Sequence, residues 1–93
     1  MKTELIMIIE DIYSIIGMGT IVTGQLQCDE INIDEAIIID PEYLPEFASK
    51  IIGIETFRKK RKSANLHEYV GLTLQGVEKK QLRKGVKIFK TKT

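Results

Sequence analysis

Apolar and polar positions alternate over two long stretches of this chain. In residues 19–28, Val22, Gly24 and Leu26 fall on one side, and Ile21, Thr23 and Gln25 on the other. In residues 68–75, Val70, Leu72 and Leu74 stand against Tyr69, Gly71 and Thr73. A period of two is the mark of a strand with one buried face. Isoleucine, valine and threonine are abundant, and their branched Cβ suits a pleated surface. Four further segments read as strands. Residues 5–16 form one with a kink at Glu10 and Asp11, 35–40 a short buried one, 47–57 another, and 84–91 the last. Residues 40–46 hold both prolines and read as a loop, because proline offers the ladder no donor. Residues 81–84 fit a single helical turn. The pattern predicts one all-β domain over residues 1–93, a closed barrel or a sandwich, with Val22, Leu26, Ile38, Ile52, Val70, Leu72, Ile88 and Phe89 in its core.

The glycines of "SIIGMGTIVTGQL", residues 14–26, raise the question of a nucleotide loop. A phosphate cradle needs a helix after the loop, whose first N–H groups meet the anion. Here Gly19 leads into alternating β-branched residues. The glycines therefore serve a hairpin turn, and no nucleotide is expected to bind.

Composition narrows the remaining classes. Ninety-three residues allow one modest core without a catalytic insert. The single cysteine, Cys28, rules out a disulfide framework and fits a reducing compartment, the cytoplasm. The first apolar run, residues 5–9, is flanked by Glu4 and Glu10 and is too short for a signal peptide or a membrane span. The net charge of +1 hides an asymmetry: residues 1–55 carry 11 acids and 2 bases, and residues 56–93 carry 2 acids and 12 bases. A basic patch that draws anions follows from that imbalance.

Arg58, Lys59, Lys60, Arg61 and Lys62 are the candidate patch. They read either as a solvated loop leaving a strand or as phosphate contacts, with Tyr69 as an aromatic platform and Phe57 in the core. Glu10 and Asp11 are adjacent, face opposite ways in a strand and cannot share a proton. His67 lacks a partner at metal-ligand spacing and reads as a loop residue, while Cys28 lacks an orienting base. No catalytic group, metal site or cofactor is expected, and the chain reads as a binding protein rather than an enzyme.

Three blocks of this chain, in order, carry a resemblance. "IEDIYSIIGMGTIVTGQL", "GIETFRK" and "VGLTLQGVEKKQLRKGVKIFK" resemble the second domain of elongation factor Tu and related translational GTPases. The resemblance runs from about Leu5 to Lys90. It implies a closed six-stranded Greek-key barrel without the GTPase domain. It also implies a role near the aminoacyl end of transfer RNA. Glu10, Asp11 and Tyr13 would lie by the aminoacyl pocket, Glu55 against the terminal adenosine, and Arg58 beside the 3′ end. The chain departs from the family at Met18, which replaces an arginine, at Tyr69, which replaces an asparagine, and in residues 27–36 and 60–68. The initial Met1 and those altered loops favour a stand-alone module over a piece of a longer factor. Two functions stay open: a module that contacts RNA or a ribonucleoprotein through the basic run, and a protein-interaction module that mimics the elongation-factor domain.

Overall fold

The computed structural model describes residues 2–57 and 59–92. Ten strands follow one another along the chain: β1 (Lys2–Ile8), β2 (Asp11–Ile15), β3 (Gly19–Gln25), β4 (Glu30–Asn32), β5 (Ala36–Asp40), β6 (Phe47–Thr56), β7 (Lys59–Arg61), β8 (Ser63–Asn65), β9 (Tyr69–Leu74) and β10 (Lys87–Lys92). The one helical element among the described residues is a 3₁₀ turn, Lys79–Gln81. The sheet runs β1-β10-β5-β6-β9-β3-β2, antiparallel at every step, with β7 against β6 and a separate β4-β8 pair.

β6 is the corner of the fold. Its first residues pair with β5 and its later ones with β9 and β7. A bulge between Ile51 and Gly53 bends it between the two jobs. The sheet thus rolls until β1 lies over β3. There the Gln27 N–H donates to the Ile6 carbonyl at 2.8 Å. Gly24 makes the approach possible, since a Cβ on it would stand 2.8 Å from the Ile8 carbonyl oxygen and 3.1 Å from Met7 Cγ. The chain is all-β, as expected. The closed six-stranded barrel is not what the pairing gives: among the described residues there are ten strands, and the ladder is an open path from β1 to β2.

The expected kink is a change of partner. Ile9 N–H bonds to Val86 O on the β10 side, and Glu10 N–H bonds to Thr23 O on the β3 side. The glycine question resolves as a turn. Met18 N–H closes on Ile15 O at 3.0 Å with Gly17 at φ 83, the positive value a type II turn needs at its third residue.

The core holds Ile6, Met7, Ile9, Val22, Leu26, Ile31, Ile37, Ile39, Ile51, Ile54, Val70, Leu72, Leu74 and Ile88, all buried. Three expected core residues are corrected. Ile38 and Phe89 are only half-buried, because Ile37, Ile39 and Ile88 take the inward parity. Phe89 pairs across with Leu5 and Ile38, and these three form an outer row. Ile52 is exposed because the bulge shifts the register there. The short strands β4, β7 and β8 lie where loops were expected, and the helical turn falls two residues earlier than read.

Candidate functional site

The outer face of β2, β3, β9 and β6 carries the site. Antiparallel register sets two rows across it. Tyr13, Ile21, Thr73 and Gly53 form one, and Asp11, Thr23, Gly71 and Glu55 the other. Gly71 places no side chain on this face, so the taller residues around it enclose a cleft. Its volume is about 350 Å³, and Tyr13, Ile15, Ile21, Thr23, Glu55, Phe57, Tyr69 and Gly71 line it.

The sequence candidates divide here. Tyr13, Glu55 and Tyr69, drawn from three different strands, meet at this cleft. Each tyrosine is about half exposed, and the Tyr69 hydroxyl donates to Thr23 Oγ1 at 3.4 Å. Glu55 is half-buried and makes no ion pair among the described residues. Glu10 and Asp11 stand off the cleft. Glu10 is exposed, and Asp11 holds Lys84 at 3.3 Å.

The basic run is ordered differently from a loop. Arg58 lies outside the described residues. Lys59, Lys60 and Arg61 form β7, with Lys60 opposite Glu55 and Arg61 opposite Ile54. Arg61 is already engaged. Its Nη1 donates to Glu68 Oε2 at 3.2 Å and to Thr56 Oγ1 at 3.1 Å, and its Nη2 donates to Glu68 Oε1 at 3.5 Å. The backbone N–H of Asn65 and the Arg61 guanidinium hold the Glu68 carboxyl below the usual carboxylate range. Lys59, Lys60 and Lys62 are exposed and enter no ion pair among the described residues.

Phe57 was expected in the core and is 93% exposed, at φ 46 on the β6–β7 turn. A bulky residue in the left-handed region is strained, and such strain gathers at functional positions. Ile15 and Ile21 join the site without having been expected there. Their alternation with Ile12 and Val22 was the available signal, since Val22 points inward. Cys28 is buried, its thiol pushed up by burial, and its Sγ donates to the Glu30 carbonyl.

The arrangement pairs flat aromatic walls with a lone carboxylate. That suits a planar ligand bearing N–H donors, stacked between rings and bonded at its edge. Among the described residues no helix is long and apolar enough to cross a membrane.

No family model matches the chain. Similarity to a curated protein is nonetheless extensive. Over 82 residues, 87% of this chain, it is 37% identical to "Elongation factor Tu, apicoplast" of Plasmodium falciparum (isolate 3D7). The chain spans only 20% of that protein's length. It therefore matches a domain-sized segment of elongation factor Tu, consistent with a module of the second-domain type.

Proposed function

We propose that this chain is a non-catalytic, translation-factor-type all-β domain that receives the unpaired end of an RNA in the cleft of Tyr13, Glu55 and Tyr69. The observation that supports it is the convergence of those three side chains around Gly71 on one open face. A nucleobase stacks on the rings, and Glu55 accepts from its exocyclic amine. The similarity to an elongation factor fits a ligand drawn from the translation apparatus. Lys59, Lys60 and Lys62 supply the electrostatic approach rather than the recognition, and Arg58 belongs with them by sequence. In this reading Glu10 and Asp11, which stand off the cleft, take no part in holding the bound end.

The test uses the protein's own fluorophores. The chain has no tryptophan and three tyrosines, and two of those tyrosines line the cleft. Titration with adenosine and with a short single-stranded RNA should quench tyrosine emission. Tyr13→Ala and Tyr69→Ala should each weaken RNA binding by about tenfold or more. Absence of RNA binding at low salt, where phosphate contacts are strongest, leaves the protein-interaction reading ahead.

A further inference from the structure

A second cleft, of about 280 Å³, lies on the other side of Glu55 and differs in chemistry. Its floor is aliphatic: Met18 from the β2–β3 turn, Ile33 after β4, and Ile52 of β6. Met18 and Ile52 are each 42% exposed, which leaves apolar surface in water without a partner. Its wall is β7, with Lys60 on the lining. Lys62 lies beside it, because its carbonyl accepts the Ile33 N–H at 2.9 Å. Glu55 is the only acid on the lining among the described residues, and Lys60 stands opposite it in register. Arg61 also lines the cleft but is held by Glu68.

Among the described strands β7 pairs with β6 alone. A lysine-rich edge repels a second copy of itself and attracts a strand of opposite charge. Among the described residues no aromatic ring lines this cleft, so a nucleic acid would gain phosphate contacts there and leave the aliphatic floor unfilled. We infer that the cleft of Met18, Ile33, Ile52 and Lys60 docks an extended acidic peptide with aliphatic anchors. Its apolar side chains fill the floor, its carboxylates meet Lys60 and Lys62, and its main chain adds to the edge of β7.

Fluorescence anisotropy with a labelled peptide of alternating leucine and glutamate tests this on the full chain. Replacing the leucines with serine should abolish binding. Ile52→Ser and Lys60→Glu should each weaken it by about tenfold. Both positions are exposed, so folding is preserved, and a peptide with lysine in place of glutamate should gain affinity for the Lys60→Glu variant. Adenosine binding in the aromatic cleft should be unchanged by Ile52→Ser. The proposal is overturned if the acidic peptide fails to bind at low salt. Indifference of binding to both substitutions overturns it equally. It also falls if Lys60→Glu weakens only the binding of an oligoribonucleotide, which would give this cleft to RNA.

Discussion

The two faces of the strands β3, β9 and β6 do opposite work. On the inner face Val22, Leu72 and Ile54 stand side by side in register, each 0–1% exposed. One residue along, Thr23, Gly71 and Glu55 form the next row, facing outward onto the aromatic cleft. The inner row is apolar, close-packed and uniform in character. The outer row mixes a hydroxyl, a glycine and a carboxylate, which bury poorly and bind well. A strand's alternation thus separates folding from recognition within a single segment. Substitutions on the two rows should have separable effects.

Leu72→Ala should break the inner row. Removing a fully buried leucine costs about 2–5 kcal/mol, read as a lowered urea midpoint. A loss below about 0.5 kcal/mol would place Leu72 outside the core and undo the contrast. Gly24→Ala comes next in size. Its Cβ would stand 2.8 Å from the backbone oxygen of Ile8, so β1 must lift from β3, at about 1–3 kcal/mol. Full retention of stability would show that the crossing is looser than described.

Gly71→Ala probes the outer row. Its nearest neighbour would be Ile21 Cγ2 at 3.5 Å, an ordinary contact, so stability should move by less than about 0.5 kcal/mol. The added methyl enters the cleft, and adenosine affinity should fall by about tenfold. Loss of folding together with affinity would mean that the outer row is structural. The smallest effect concerns Glu68. Its pKa is depressed in the folded state, so its contribution is present above the ordinary glutamate pKa and is lost as pH falls through the folded value. Stability should therefore decline less on acidification in Glu68→Gln than in the parent, as followed by thermal melts at stepped pH.

The alternation in residues 19–28 and 68–75 made β3 and β9 legible with the correct inward parity. The glycine turn was legible too, because a strand pattern follows it. Parity failed where alternation was absent. Residues 37–39 are three consecutive isoleucines, and nothing local says which of them faces in. At Ile52 a bulge shifts the register, and a bulge leaves no compositional mark beside Gly53. Phe57 looked like core by residue type alone, since its positive φ is set by the turn and not by its own preference. The basic run was visible as charge. That Arg61 is bound to Glu68 depends on β7 folding back along β6, a pairing three residues long and too short to register as a pattern. Tyr13, Glu55 and Tyr69 lie on three separate strands, and the side-by-side order β2-β3-β9-β6 makes them neighbours.

Amide chemical-shift mapping with a short single-stranded RNA, at two salt concentrations, distinguishes recognition in the aromatic cleft from attraction to the lysines. Shifts are expected at Tyr13, Ile21, Tyr69 and Gly71 that persist at the higher salt, because stacking in the cleft is not screened as exposed charge is. Shifts at Lys59, Lys60 and Lys62 should accompany them at low salt and fade as salt rises. Shifts confined to those lysines, with the cleft residues unmoved at either salt, would contradict recognition in the cleft.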